Sequence, residues 1–175
     1  MSRVEAILAF LDARGVAAAM IGGAALAVHG VARATLDIDL LTDDPRVLDP
    51  EFWTAMPADP PPEIRRGDAS DPLAGVIRCN AAGDPVDLLV GRGRFISEVV
   101  ARRGFIDAGG FRIPVVDAPD LILLKLSAGG PQDLLDVRLL LHGDPGNWRA
   151  TVEQRIAQAP RDAQNTWKKL EASDD

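Results

Sequence analysis

Between Thr35 and Thr42 the chain reads TLDIDLLT, with apolar and polar residues in alternation. Period-two alternation marks a half-buried strand, because successive side chains leave opposite faces of the pleat. Leu36, Ile38 and Leu40 are therefore expected on one face, with Thr35, Asp37 and Asp39 on the other. That second face constrains the fold more than any other feature. A carboxylate costs on the order of several kcal/mol to desolvate unless a positive group compensates it. Whatever packs around this strand must bring that compensation.

The flanking sequence reads as alternating short elements. Val4, Ile7, Leu8 and Leu11 recur at helical spacing after Ser2, a plausible N-cap, and Gly15 is a stop. VAAAMI (Val16 to Ile21) reads as a buried strand, broken by a Gly22-Gly23 turn, and AALAVHG as a short helix ending at Gly30. Beyond Asp43 the chain is proline-rich, with DPRVLDPEFWTAM expected helical and PADPPPE a connection. GVIRCN and PVDLLVG form an expected hairpin turning on Gly83-Asp84. GRFISEVVARRG reads as a helix, and FIDAGGFRIPVV as a second hairpin around Gly109-Gly110. After Asp117 only helical patterns follow: DAPDLILLKLSAGG, PQDLLDVRLLLHG and the segment from Trp148 to Glu171. The class is α+β, with a helical second half.

Composition narrows the function classes. With 47% apolar residues but only 5% aromatic and no tyrosine, the core must be aliphatic. A net charge of −7 argues against gripping a nucleic-acid backbone through a basic face, while leaving contact with one RNA end open. The single cysteine, Cys79, cannot form an internal disulfide and reads as a small core hydrophobe. No Cys/His cluster has zinc spacing. The first fifteen residues lack a leader's continuous apolar stretch, and no apolar run approaches membrane-spanning length. The expected location is cytoplasmic, with no membrane partner.

Asp37 and Asp39 leave one strand in the same direction, their Cβ atoms about 7 Å apart. Asp87, in PVDLLVG, lies on another expected strand. If the two strands are neighbours, three hard oxygen donors converge, which suits Mg²⁺ or Mn²⁺. Gly22-Gly23, between a strand and a helix, lets backbone N–H groups approach a phosphate. Each element alone has a plain structural reading: a turn, a solvated strand face, a surface aspartate. Their combination is much less ordinary.

The stretch IGGAALAVHGVARATLDIDLLT resembles the signature of the nucleotidyltransferase superfamily with the polymerase-β-type palm: an apolar residue, Gly-Gly or Gly-Ser, a spacer, then Asp-x-Asp. The R-x-T-x-D-x-D form is similar to the branch of AbiEii-like abortive-infection toxins. LLKLSAGGPQDLLDV matches that branch's downstream motif at Lys125, Asp133 and Asp136, so the resemblance runs from Ile21 to about Leu141. Two departures stand out. Gly23 replaces a serine seen in many members, and AGGPQ precedes Asp133 where a basic residue is expected.

The resemblance implies a small mixed sheet, the palm, flanked by helices over residues 1–116, and a helical subdomain over 117–175 packed on it. It implies a metal-dependent enzyme in which an acceptor hydroxyl attacks the α-phosphorus of a nucleoside triphosphate and pyrophosphate leaves. Asp37 and Asp39 bridge two Mg²⁺ or Mn²⁺ ions in this scheme, and Asp87 completes the acceptor-side ion and is placed to take the proton. Gly22 and Gly23 hold the β- and γ-phosphates, and Lys125, Asp133 and Asp136 belong to the nucleotide site. Arg33 either neutralises phosphate or pairs with a surface carboxylate, and Thr35 shapes the turn into the strand. Lys125 either snorkels to water or faces a cleft, the latter favoured by the resemblance. Asp133 and Asp136 share a helical face, and Asp133 also suits a helix's first turn. His29 and His142, beside glycines, read as structural. The acceptor is open among an RNA end, a protein hydroxyl and a small molecule, and the toxin branch adds a possible cognate partner protein. Two other readings stay open: a non-catalytic binding module or antitoxin-type partner, and a metal-dependent phosphohydrolase.

Overall fold

The computed structural model describes residues 2–33, 35, 37–56, 61–80, 85–144 and 146–174. The chain divides into two compact units: residues 1–24 with 34–116, and residues 25–33 with 117–175. The first unit holds the sheet and the second holds helices, giving the α+β class expected. The segment 25–33 goes with the helices, although it lies before the sheet's second strand in sequence.

In the sheet unit, α1 (Arg3–Asp12) opens with a complete capping box. Ser2 N–H donates to Glu5 Oε2 at 2.8 Å and Glu5 N–H to Ser2 Oγ at 3.4 Å, which satisfies two otherwise orphaned donors. Val4, Ile7, Leu8 and Leu11 form its buried stripe. The strands are β1 (Ala19–Met20), β2 (Ile38–Thr42), β3 (Glu63–Arg66), β4 (Leu73–Cys79), β5 (Val86–Gly91), β6 (Gly104–Ala108) and β7 (Phe111–Val115). They form one seven-stranded sheet in the order β3-β4-β5-β2-β1-β7-β6. Among the described residues only β2–β5 and β1–β7 pair in parallel, so the sheet is mixed, as expected. α3 (Gly93–Ala101) follows β5.

Register sorts the two faces. Ile38, Leu40 and Thr42 stand opposite Val86, Leu88 and Val90, and Ile77 and Cys79 continue that apolar row on β4. Leu40, Leu88, Val90 and Ile77 are completely buried there. Each stabilises the fold by roughly 1.5–3 kcal/mol relative to exposure. The other face carries Asp39 opposite Asp87, Asp87 opposite Arg78, and Arg78 opposite Glu63. One polar row thus crosses four strands.

Several local expectations change. The first strand is only two residues long, and just before it Ala17's carbonyl accepts the Thr42 hydroxyl at 2.7 Å. The expected helix after Asp43 is two single 3₁₀ turns, Pro45–Leu48 and Pro50–Trp53, capped by Asp44 and Asp49. Pro50 causes the break by holding Asp49 extended at φ −84°, ψ 122°. β3 went unforeseen because three of its four residues, Glu63, Arg65 and Arg66, are charged and exposed on a sheet edge. The turn at Gly83-Asp84 and residues 57–60 of the connection lie outside the described residues.

In the helical unit, α5 (Pro131–Gly143), α6 (Trp148–Arg155) and α7 (Arg161–Asp174) pack around α4 (Ala118–Ala128). The last expected helix is divided by a 3₁₀ turn at Ile156–Gln158 and by Pro160. Arg155 Nη1 bridges Asp117 at 2.8 Å and the fully buried Asp120 at 3.1 Å, tying α6 to the start of α4. His29 meets the Trp148 ring edge-on at 5.9 Å. No described helix is long and apolar enough to cross a membrane.

Cys79 is free and buried, and burial pushes its thiol up to about 11. Since the thiolate is the nucleophile, the native protein is expected to resist iodoacetamide at about pH 8, while the urea-unfolded chain alkylates readily. Mass spectrometry of timed samples checks this.

Candidate metal centre

The site begins with backbone geometry. β2 and β5 run parallel with Asp39 directly beside Asp87, and neighbouring strands lie only about 4.8 Å apart. Asp37 sits in the bend just before β2 and not on the strand itself. From there it still reaches the pair: one oxygen from each of Asp37, Asp39 and Asp87 lies within 4.8 Å of the other two. Asp37 is exposed, Asp39 half-buried and Asp87 buried, so the cluster opens to solvent on one side.

Small residues make the convergence possible. Gly22 and Gly23 do not form a separate turn; they are the first residues of α2 (Gly22–Val28). Gly22 has φ +64°, and a Cβ there would stand 2.2 Å from Asp39 Oδ2. A Cβ on Gly23 would stand 2.9 Å from Thr35 Cβ. Thr35 in turn places its hydroxyl 2.9 Å from Asp37's carbonyl oxygen and 3.1 Å from its Oδ1. The glycine pair therefore makes room for one carboxylate and for the hydroxyl that orients another.

One participant escaped the sequence reading. Arg78 Nε donates to Asp87 Oδ1 at 2.9 Å and Nη2 to Oδ2 at 2.6 Å, a bidentate pair. The hydrogen bonds and field of Asp87, with smaller contributions from Glu63 and Asp37, raise the Arg78 pKa. Its signal was the alternation of GVIRCN, which puts Arg78 on the non-core face, but which residue it opposes depends on the hairpin's turn.

The donor set fits a divalent cation. Three hard carboxylates at this spacing repel one another, and each oxygen held by Arg78 keeps one further lone pair. Mg²⁺ or Mn²⁺ held by Asp37, Asp39 and Asp87 is consistent with that chemistry, whereas a soft ion is not.

The remaining residues form a second cluster, inside the helical unit. Asp136 on α5 is fully buried. Its Oδ2 accepts from Lys125 Nζ at 2.7 Å and from Arg33 Nη1 at 2.8 Å, and its Oδ1 accepts from Gln132 at 3.0 Å. Lys125, itself buried on α4, also reaches Asp133 Oδ1 at 3.1 Å. Two cations thus face two carboxylates. Of the two readings of Arg33, the structure displays the carboxylate pair, with a buried partner in place of a surface one. Burial pushes Asp136's carboxyl upward, but hydrogen bonds from Lys125 and Gln132 and the charges of Lys125 and Arg33 outweigh it. The result lies below the ordinary carboxylate range.

No family model and no curated protein matches this chain. Solved structures do. TM1012 of Thermotoga maritima, by designation a nucleotidyltransferase, superposes with TM-score 0.52 at 17% identity, covering 82% of this chain and 96% of its own. ANT(2″)-Ia, in complex with adenylyl-2″-tobramycin, gives 0.54 at 15% identity over 87% of this chain and 96% of its own. The solution structure of that antibiotic-resistance factor gives 0.51 at 14% identity, with 89% and 91% covered. The fold is that of nucleotidyltransferases.

Proposed function

We propose that this chain is a metal-dependent nucleotidyltransferase that moves a nucleoside monophosphate from a nucleoside triphosphate to a hydroxyl acceptor. The observation that carries the reading is the meeting of Asp37, Asp39 and Asp87 within 4.8 Å on a fold shared with nucleotidyltransferases. Bound there, two Mg²⁺ or Mn²⁺ ions supply acidification of the acceptor hydroxyl and neutralisation of the triphosphate. Asp37 and Asp39 would hold the ions, with Asp87 serving the acceptor side. Thr35 fixes the direction of the Asp37 carboxylate. Gly22 and Gly23, with no side chain in the way, offer backbone N–H groups to the β- and γ-phosphates. The acceptor oxygen bonds to the α-phosphorus, its proton is released, and pyrophosphate departs.

For the acceptor, the net charge of −7 favours a small or cationic molecule over a polyanion. ANT(2″)-Ia, with adenylyl-2″-tobramycin bound, is a case of this fold serving a small acceptor. Arg33, Lys125, Asp133 and Asp136 belong to nucleotide binding in this reading, with Lys125 exchanging its carboxylate partners for phosphate. The R-x-T-x-D-x-D motif supports a setting like that of abortive-infection toxins, with a cognate partner protein.

Incubation with labelled nucleoside triphosphates, Mn²⁺ and a panel of small-molecule, RNA and protein acceptors tests the proposal. Label transfer with pyrophosphate release is expected, falling to background in Asp37→Asn. Release of inorganic phosphate without an adduct would instead identify a phosphohydrolase. Calorimetry showing equal Mn²⁺ binding by wild type and Asp37→Asn would point to a non-catalytic module.

A further inference from the structure

Arg78 hydrogen-bonds directly to the acidic cluster, and it grips both oxygens of the carboxylate it touches. Its side chain is 43% exposed, within the row Glu63–Arg78–Asp87–Asp39. The pair leaves Asp87 able to ligate an ion, since each oxygen retains a lone pair. It also fixes a positive charge within about 5 Å of any ion bound to Asp87. Repulsion between a unit charge and a divalent ion at that range is worth about tenfold in affinity even with water-like screening. Arg78 could in principle also help the ion by orienting Asp87. That contribution is small, because Asp87 is already 7% exposed on a central strand between the buried Val86 and Leu88.

We infer that Arg78 is a positioning residue that holds down cation affinity at Asp87, so that this carboxylate's share of the cluster fills when a polyanionic triphosphate adds its own charge. The inference rests on the metal-centre reading above. It assigns the pair a purpose beyond stability: the protein without nucleotide keeps its acidic cluster partly neutralised and incompletely loaded.

The experiment is Mn²⁺ binding to the full chain, followed by electron paramagnetic resonance of free Mn²⁺ and by calorimetry, with thermal melts to verify folding. Arg78→Gln and, as a second neutral variant, Arg78→Met are expected to tighten Mn²⁺ about tenfold. Arg78→Lys, which keeps the charge, should stay near wild type. In an Asp87→Asn background the gain from Arg78→Gln should vanish, a coupling that a merely structural role would not produce. A non-hydrolysable triphosphate should narrow the gap between wild type and Arg78→Gln. Unchanged or weaker binding in both neutral variants overturns the inference while leaving the metal centre intact. So does a gain that survives Asp87→Asn, or one matched by Arg78→Lys. Failure of the wild-type chain to bind Mn²⁺ at millimolar concentration overturns the metal-centre reading and this inference together.

Discussion

Gly22→Ala is expected to abolish nucleotidyl transfer as thoroughly as Asp39→Asn, each by about a thousandfold or more. Removing the Asp39 carboxylate deletes one of the three oxygen donors of the acidic cluster. Adding a methyl group at Gly22 deletes the space that carboxylate occupies, since the new Cβ would stand 2.2 Å from Oδ2. Asp39 would have to turn away from Asp37 and Asp87, and the φ of +64° adds about 1 kcal/mol of backbone cost for any residue with a Cβ. Gly30→Ala separates the two effects. Its φ is +88°, yet nothing lies within 4 Å of the added Cβ. That variant should lose a similar 1 kcal/mol or so of stability and keep its activity and Mn²⁺ affinity. Parallel urea melts, calorimetric titrations and transfer assays on the three variants check the claim. An active Gly22→Ala enzyme would show that Asp39 can ligate from another rotamer.

The second large effect concerns stability. Asp136→Asn is expected to destabilise the helical unit by about 3 kcal/mol or more, because Lys125 and Arg33 lose their shared charge partner while Lys125 stays buried. Replacing both members of the pair, as in Asp136→Leu with Lys125→Met, should recover more than half of that loss, since no unpaired charge is then left inside. Arg33, 40% exposed, can turn to solvent in either case. The acid limb carries a further signature. Asp136 titrates lower in the folded chain than in the unfolded one, so its contribution is complete above about pH 4. It is lost as the pH falls through the folded value, where protonation breaks the pair. Urea denaturation between neutral pH and about pH 3 should show this decline in wild type and a flatter profile in Asp136→Asn.

Much of the acidic cluster could be read from the chain because its determinants are local. The alternation of TLDIDLLT and of PVDLLVG puts Asp39 and Asp87 on the non-core side of their strands, while Asp37 reaches the pair from the bend before β2 and not from the strand expected for it. That the two segments are neighbours was a condition the alternation could not supply; the β2–β5 pairing meets it. Arg78 was out of reach for a related reason. Its partner is set by hairpin register, and register depends on the turn between β4 and β5. The pairing of Lys125 with Asp133 and Asp136 joins two helices across Gly129-Gly130, where the αL conformation of Gly129 fixes how α5 returns alongside α4. Patterning shows two helices there but not which charges meet. The Pro50 break was legible in hindsight, since a proline within a proposed helix forces its predecessor out of the α region.

The β2–β5 ladder carries one further implication. In a strand pair, a slip of a single residue exchanges the two faces. Were β5 to shift by one position against β2, Leu88 or Val86 would stand beside Asp39 and the third carboxylate would enter the apolar interior. The side chains guarding against that error are Leu40, Leu88, Val86 and Ile77, which point away from the acids. Greasy residues on the opposite face thereby decide whether the three carboxylates can meet at all, and selection on that meeting must reach through them.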